Sequence, residues 1–249
     1  MTYDTDVAWI HDQGFSSYAL NTTPGVLNYL ARYGGHDGLV VDLGCGSGIL
    51  ARELVLSGHN VLGVDLSESM LALARKQAPE AEFRQGSILD VPIPRTSAIL
   101  CLGEVLSYAA ADLRSTAAIT RFFRRVWKAL LPGGMFLLDF AQPGRFPAGM
   151  PRHSHWTGED WAILIDALPQ KDKLLLVRQL TAFRKVGRHW RRTDETHRLR
   201  LFPDTEIDTI LRAAGFDDPH FLRLLGHYRF PSGHSAAIAV KALKPPDKT

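Results

Sequence analysis

Residues 40–48 read VVDLGCGSG, and this stretch decides the fold. An apolar run, typical of a strand covered on both faces, leads directly into three glycines at alternate positions and then into an amphipathic segment. Glycine is used where the chain turns sharply or where a ligand approaches the main chain without a Cβ in the way. The stretch therefore predicts a buried strand, a tight loop and a helix.

The same alternation of apolar runs and amphipathic segments extends from about Leu39 to Ala141, which predicts repeated strand–helix units and a parallel sheet. One helix is predicted to begin after a Ser67 cap, and another carries a continuous apolar face from Ile119 to Leu130. Leu131-Pro132-Gly133-Gly134 is predicted to end that helix. The predicted strands are LVVDLG, NVLGVDL, AEFRQGSI, SAILCLGEV and MFLLDFA.

The pattern changes after residue 142. Three runs with β character favour an antiparallel meander: EDWAILIDALP, KLLLVRQLTAFRK and HWRRTDETHRLRLF. DTEIDTILRAAGF predicts a helix capped by Gly215, and FLRLLGHYRF and SAAIAVKAL predict two final strands. Near the N-terminus, a helix is predicted to begin at about Thr23-Pro24. The expected architecture is a doubly wound, mostly parallel α/β sheet with an antiparallel insertion.

Composition limits the classes to consider. The 249 residues are 45% hydrophobic and 22% charged, which is typical of a globular protein and excludes global disorder. Two cysteines make no disulfide framework and suggest a reducing compartment. A net charge of +3 does not by itself indicate nucleic-acid binding. We expect no secretory signal, no membrane span, a cytoplasmic location, and a monomer or homodimer.

An acidic residue, Asp65, ends the second predicted strand. A carboxylate at this position accepts hydrogen bonds from the two hydroxyls of a ribose, so the site favours a nucleotide ligand. Dinucleotide-binding loops have the pattern G-x-G-x-x-G/A, and the last of these positions is Ile49 here. A nicotinamide oxidoreductase is therefore the least favoured interpretation.

Asp42 and the alternate glycines resemble the first motif of the class I S-adenosylmethionine-dependent methyltransferases. Four further segments resemble later motifs of that family in the same order: Asp65-Leu66-Ser67 with Met70, Gly86-Ser87-Ile88, Leu102-Gly103-Glu104 and Leu131–Gly134. The resemblance implies a Rossmann-like sheet of seven strands with an antiparallel last strand. It also implies S-adenosylmethionine as cofactor and S-adenosylhomocysteine as product.

The resemblance further implies a set of cofactor-binding residues. Asp42 would support the loop or the cofactor ammonium, Asp65 would hold the ribose, and Ser87 would lie near the adenine amine, where many relatives have Asp. The N-terminal segment would fold over the pocket through Tyr18. The full expected set is Tyr18, Asp42, Gly44, Cys45, Gly46, Gly48, Asp65, Leu66, Met70, Ser87, Ile88, Leu102 and Gly103.

Residues for the methyl acceptor are expected in two places. Glu104 and Tyr108 follow the fourth strand, at the sheet edge where ligands of open α/β sheets bind. The insertion contributes His155, a candidate base, and His153-Ser154-His155 places both imidazoles on one strand face. A base is required only when the acceptor must lose a proton. No third ligand accompanies these histidines at metal-site spacing, so no metal is expected.

The sequence predicts four regions and leaves three functions open. Residues 1–37 form an N-terminal helical cap, 38–141 the cofactor-binding core, 142–202 an antiparallel lid over the acceptor, and 203–249 the elements that complete the core. The favoured function is methyl transfer to nitrogen, oxygen or carbon of a small molecule. Arginines in 121–128 and 184–192 leave an RNA (tRNA) methyltransferase open, and a non-catalytic cofactor-binding module is the third alternative.

Overall fold

The computed structural model describes residues 3–34, 38–111, 116–144, 151–170 and 174–242. The helices are α1 (Thr5–Phe15), α2 (Ser17–Tyr29), α3 (Ile49–Leu56), α4 (Glu68–Gln77), α5 (Val105–Ala109), α6 (Ala117–Ala129) and α7 (Asp204–Ala214), and a π-helical turn, Leu30–Gly34, follows α2. None of the helices in these ranges has the length and apolar character needed to cross a bilayer.

In the described ranges, thirteen strands form three sheets. The first five are β1 (Leu39–Leu43), β2 (Asn60–Asp65), β3 (Glu82–Gln85), β4 (Thr96–Cys101) and β5 (Leu130–Ala141). The next four are β6 (Arg152–Thr157), β7 (Trp161–Gln170), β8 (Leu175–Val186) and β9 (His189–Arg200). The last four are β10 (His220–Leu222), β11 (Leu224–Leu225), β12 (Tyr228–Arg229) and β13 (His234–Val240).

The central sheet has seven strands in the order β10-β13-β5-β4-β1-β2-β3. Strands β1 to β5 are parallel, and β13 and β10 run antiparallel to their neighbours. The predicted seven-stranded, mostly parallel fold is therefore confirmed. The chain reverses its winding direction between β1 and β4, and in open α/β sheets ligands bind beyond the carboxyl ends of the strands at such a point.

Helix α6 shows how the sequence builds one layer of the core. Ile119, Phe122, Phe123 and Val126 recur at helical spacing and are all buried. Phe123 lies edge-on to Phe136 of β5, with the ring centroids 5.4 Å apart. Burying each such side chain stabilises the fold by about 1.5–3 kcal/mol. The predicted apolar face thus fixes α6 against the sheet.

The insertion folds as a four-stranded antiparallel sheet, β6-β7-β8-β9, called the cap sheet below. It contains the three predicted runs and adds β6 at one edge. Helix α1 packs on this sheet through Val7 and Ile10, which cluster with Ile163 and Leu180. Asp6 of α1 also forms ion pairs with arginines of β8 and β9. The N-terminal segment is thereby held to the cap sheet.

Helix α2 begins earlier than the sequence predicts. It begins at Ser17 and continues through Pro24, which lacks the N–H that an interior helical residue donates. Neighbouring groups satisfy the local carbonyls: the Thr23 hydroxyl donates to the carbonyl of Ala19, and the His227 N–H donates to that of Asn21. The prediction of a start near Thr23-Pro24 was wrong because contacts with distant residues, such as that from His227, are not visible in the local pattern.

Two other boundaries differ from prediction. Strand β5 begins at Leu130, so Leu131–Gly134 lies within the strand at an irregular register rather than before it. A Cβ on Gly134 would lie 2.6 Å from the Ser97 carbonyl oxygen, which explains the glycine in this close pairing. The predicted strand FLRLLGHYRF is instead divided into β10, β11 and β12, with a turn at Gly226 (φ +60°).

Candidate active site

A cavity of about 1130 Å³ lies at the carboxyl edge of the central sheet. Its walls come from the glycine loop after β1, the ends of β2 and β4, helices α1 and α2, and one face of the cap sheet. Of the predicted cofactor-binding residues, all except Gly48 line it. The predicted acceptor residues Glu104 and Tyr108 line it as well.

The three loop glycines have left-handed φ angles but different surroundings. A Cβ on Gly44 would lie 2.3 Å from the Val105 side chain, and one on Gly48 would lie 2.8 Å from the Cα of Ala74 in α4. A Cβ on Gly46 would meet no atom within 4 Å. Gly46 therefore leaves main chain open to the cavity, whereas Gly48 permits close packing with α4. Gly48 does not line the cavity, so its expected contact with the cofactor stays a prediction.

Asp65 connects the glycine loop to the next helix. Its carboxylate accepts from the N–H of Gly46 at 2.9 Å and from the N–H of Ser67 at 2.8 Å. The Ser67 hydroxyl in turn caps α4 by accepting from the Met70 N–H, as predicted. Burial raises the pKa of Asp65, and the two backbone donors oppose that rise. The loop and the carboxylate thus form one rigid unit.

Asp42, at the end of β1, is a second buried carboxylate on the cavity wall. Burial, together with repulsion from Asp65, raises its pKa to about 7. Within the described residues, no side chain or backbone N–H donates a hydrogen bond to it. A buried carboxylate in this state favours a ligand that brings positive charge or a hydrogen-bond donor.

The remaining predicted residues form an apolar border around the loop. Met70 and Ile88 are buried, Leu66 is 45% exposed, and Ser87 uses its hydroxyl to accept from the Leu89 N–H at 3.2 Å. Burial raises the pKa of the Cys45 thiol and keeps it protonated, which argues against a nucleophilic role. This border suits a flat, mostly apolar group next to the Asp65 carboxylate.

Asp139, at the end of β5, is a buried carboxylate that sequence reasoning missed. It accepts from the N–H of Gly103 at 3.0 Å and from that of Glu104 at 2.6 Å, and both donors have left-handed φ angles. Tyr18 and His234 donate to it from the other side. Asp139 therefore holds the strained turn after β4 and anchors helix α2 at the cavity.

Glu104 and Tyr108 are joined by an arginine from the cap sheet. Arg178 of β8 donates to the Glu104 carboxylate at 2.9 Å and to the Tyr108 hydroxyl at 2.8 Å. Both members of the Glu104–Arg178 ion pair are largely buried. The charge of Glu104 is thus satisfied by the cap sheet, which ties the segment after β4 to the insertion.

The structure does not bring His155 to the cavity. Ser154 and Trp156 line the cavity, so strand alternation places His155 on the opposite, exposed face of β6. His153 shares that face and binds Asp166 at 2.7 Å. In the described ranges, no group of three or more His, Cys, Asp or Glu residues is placed to hold a metal ion.

A different histidine of the insertion faces the cavity. His197 of β9 is buried, and its Nε2 lies 2.6 Å from the Glu195 carboxylate. The two residues share a strand face because they are two positions apart, a signal present in the run DETHRLR. Asp139 also left a signal, since an acid inside the buried strand MFLLDFA requires partners. No feature of the sequence indicated Arg178, because an arginine in an alternating strand is usually solvent-exposed.

Known proteins resemble both the sequence and the fold. A methyltransferase domain model matches residues 40–134. The chain is 30% identical over 193 residues to dTDP-3-amino-3,6-dideoxy-alpha-D-glucopyranose N,N-dimethyltransferase of Streptomyces fradiae, covering 71% of this chain and 69% of the relative. It is 26% identical over 185 residues to the putative methyltransferase YqeM of Bacillus subtilis (strain 168), covering 72% and 73%.

The fold is similar to the crystal structure of an S-adenosylmethionine-dependent methyltransferase from Clostridium acetobutylicum ATCC 824. The TM-score is 0.79 at 17% identity, over 94% of this chain and 97% of the other. Together with the sequence matches, the sheet order and the glycine loop, this places the chain in the family of class I S-adenosylmethionine-dependent methyltransferases. S-adenosylmethionine is its cofactor, as the first motif predicted.

The residues present fit that cofactor. Gly46 offers open main chain, Asp65 offers a carboxylate at the end of β2, and Asp42 offers a buried carboxylate that no described protein group satisfies. The cavity also extends beyond these groups to the cap sheet, so it has room for a second molecule. A donor and an acceptor can therefore share one cavity.

Proposed function

We propose that this enzyme transfers a methyl group from S-adenosylmethionine to a small-molecule acceptor bound between the core and the cap sheet. One observation carries the proposal: the cavity is continuous from the glycine loop to the inner face of the insertion. The Streptomyces fradiae relative is, by its name, an N,N-dimethyltransferase of a dTDP-linked amino sugar, which is a small molecule. That similarity supports the acceptor class.

We assign the cofactor-binding roles as follows. Asp65 accepts from the ribose hydroxyls, and Asp42 supports the loop or the methionine ammonium. Leu66, Met70 and Ile88 border the adenine, and Ser87 lies beside it. The methionine end is held by the main chain of residues 44–46 and by Tyr18, Leu102 and Gly103.

Catalysis in this site rests mainly on position. Bound S-adenosylmethionine supplies an already activated methyl group on a positively charged sulfur. The protein holds the acceptor in line with it, and such positioning supplies on the order of 7–11 kcal/mol in favourable cases. We propose that Glu104 and Tyr108, fixed by Arg178, shape the acceptor side, and that the cap sheet and α1 exclude water.

Arginine-rich surfaces do not favour an RNA acceptor. Arg125 of α6 donates to the backbone carbonyls of Ile88, Leu89 and Val91, so it serves the fold. Arg184 and Arg191 of the cap sheet pair with Asp6 of α1. These arginines hold elements together, which supports the small-molecule proposal over the tRNA alternative.

Transfer of a radioactive methyl group tests the proposal. The protein is incubated with methyl-labelled S-adenosylmethionine and either the low-molecular-mass fraction of a cell extract or total tRNA. We expect labelled product and S-adenosylhomocysteine only with the low-molecular-mass fraction, and none with Asp65→Ala. Label in tRNA supports the RNA alternative instead, and label in neither contradicts the proposed function.

A further inference from the structure

Six aromatic rings form a continuous wall along the acceptor half of the cavity. They come from the N-terminal segment and α1, from α5, and from the cap sheet, and each one lines the cavity: Tyr108, His197, Tyr3, His11, Phe15 and Trp156. In that order, neighbouring ring centroids lie 5.7, 5.0, 5.4, 5.8 and 5.3 Å apart. Contacts of this length are typical of packed aromatic pairs.

Two buried rings of the wall, those of His11 and Tyr3, are uncharged at neutral pH. Burial lowers the pKa of His11 to about 4, so its ring is neutral. Burial also raises the pKa of Tyr3, so its hydroxyl stays protonated. A neutral aromatic surface favours a planar apolar ligand, because its ring faces and edges pack against another aromatic ring.

The inner face of the cap sheet supplies an aliphatic surface to the same space. Ile163, Ile165 and Ala167 of β7 and Leu180 of β8 all line the cavity. Their side chains share one face because they alternate along their strands, and Ile165 pairs directly with Leu180. The acceptor half therefore combines aromatic rings with aliphatic side chains, which suits a flat ring.

A network of paired polar side chains lies at the Tyr108 end of this wall. There the Nε2 of His197 contacts Glu195, and Tyr108 binds Arg178, which in turn binds Glu104. When His197 Nε2 carries the proton and donates to Glu195, the lone pair of Nδ1 is free to accept a proton. The groups that face His197 are Glu195 on its own strand and, on neighbouring elements, Tyr3, His11, Tyr108 and Arg178.

We propose that the acceptor is an aromatic compound with a phenolic hydroxyl, which packs against this wall and gives its proton to His197. The proposal rests on the function proposed above and specifies the acceptor class. The bond from oxygen to the methyl carbon forms as the bond from that carbon to the cofactor sulfur breaks. The phenolic proton passes to His197 Nδ1, Glu195 stabilises the resulting imidazolium, and the proton then leaves to water.

Binding of a phenolic probe tests the acceptor class. Protein saturated with S-adenosylhomocysteine is titrated with 2-naphthol and separately with methyl β-D-glucopyranoside, and binding is followed by ligand-detected NMR. We expect 2-naphthol to bind and the glucoside not to bind. Absence of 2-naphthol binding, or preference for the glucoside, overturns the proposal. Calorimetric binding of S-adenosylhomocysteine in the same sample shows separately whether the cofactor site is intact.

Two exposed tryptophans of the cap sheet give a matched pair of variants. Trp156 is 43% exposed and lines the cavity, whereas Trp190 is 54% exposed and lies on the outer face of β9. We expect Trp156→Ala to weaken 2-naphthol binding at least fivefold without changing S-adenosylhomocysteine affinity, and Trp190→Ala to change neither. Equal effects of the two variants contradict the assigned wall.

Rates of methyl transfer to 2-naphthol test the role of His197. We expect His197→Gln to lower kcat about 100-fold or more near pH 7, in keeping with loss of a general base. Because a phenol ionises near pH 10, raising the pH supplies the anion directly and should restore much of the rate. A purely structural role gives no such recovery. Lack of transfer by the parent protein, or an unchanged rate in the variant, contradicts the assignment.

Discussion

Asp139 shows how one residue can organise the active site without facing the reaction. Its carboxylate accepts hydrogen bonds from two consecutive backbone N–H groups, from Tyr18 and from His234. An asparagine of the same size has lost the negative charge, and its amide nitrogen faces groups that are themselves donors. The loop after β4 and helix α2 both depend on this residue.

We therefore predict that Asp139→Asn lowers the free energy of unfolding by about 2–4 kcal/mol, as expected when a buried charged acceptor is lost. Urea denaturation followed by circular dichroism measures the change. Asp194→Asn is the matched control, because Asp194 is an exposed carboxylate paired with Arg192. It should leave the free energy of unfolding nearly unchanged, because exposed carboxylates away from the core contribute little. Equal effects of the two substitutions would contradict the assigned role of Asp139.

The raised pKa of Asp42 predicts that the stability of the protein decreases as the pH rises. Its pKa rises from an ordinary value of 3.8 to about 7 in the folded protein, because burial and Asp65 disfavour the charged form. The folded state thus binds the proton more tightly than the unfolded state does. The stabilising contribution is fully present below about pH 4 and is lost as pH rises through about 7.

The comparison of parent protein with Asp42→Asn isolates this effect. We expect the stability of the parent, relative to the variant, to decrease between pH 5 and pH 8 in the absence of cofactor. Denaturant unfolding at both pH values measures the difference. His11 acts in the opposite direction because burial lowers its pKa to about 4, but it is present in both proteins and cancels. A difference that is constant with pH contradicts the assigned pKa.

In the loop between β1 and α3, one glycine allows close packing of a helix and another leaves main chain open to the cavity. A Cβ on Gly48 would lie 2.8 Å from Ala74, so the glycine allows α4 to approach. A Cβ on Gly46 would enter the cavity without meeting an atom within 4 Å. Both residues have a left-handed φ, so the conformational cost of an alanine, about 1–2 kcal/mol, is common to both.

Alanine at position 48 should therefore mainly affect stability, and alanine at position 46 should mainly affect ligand binding. Gly48→Ala is expected to lower stability more than Gly46→Ala does, because α4 must also shift away. Gly46→Ala is expected to weaken S-adenosylhomocysteine binding more, since its methyl group occupies ligand space. Thermal unfolding and calorimetry measure the two quantities. If Gly46→Ala binds the nucleoside as tightly as the parent, our view of this loop is incorrect.

The elements that could be predicted from the sequence are those whose own residues determine them. The β1 loop, the Ser67 cap and the apolar face of α6 are local patterns, and the structure confirms them. Helix α2 and the segment containing β10 to β12 depend on distant partners. The N–H of His227 satisfies a carbonyl in α2, and no local pattern reveals that contact.

The same reasoning explains what was missed at the site. Gly44, Gly46 and Asp65 meet because a strand, a turn and the adjacent strand place them together, which the motif spacing encodes. Arg178 and His197 reach the cavity only through the register of the cap sheet, where the two residues are paired across β8 and β9. The register depends on the whole insertion and cannot be derived from the residues next to one histidine. The sequence pattern therefore indicated His155, which lies on the face of β6 that points away from the cavity.

For the whole molecule, the cap sheet and the core form one site because charged contacts join them. Arg178 joins β8 to Glu104 and Tyr108, and Asp6 joins α1 to the same sheet. Residues of the core and of the cap sheet therefore line a single cavity, and we propose that cofactor and acceptor occupy its two sides. The proposed function requires that the nucleoside occupy the core side, where we propose that Asp65 holds it.

Calorimetric titration with S-adenosylhomocysteine tests that requirement most directly. We predict that the parent protein binds S-adenosylhomocysteine and that Asp65→Ala binds it at least tenfold more weakly, a loss of about 1.4 kcal/mol or more. The control is Glu82→Ala, which removes an exposed carboxylate on the neighbouring strand β3. We expect this control to bind like the parent. No binding by the parent, or equal affinity in Asp65→Ala, would contradict the account.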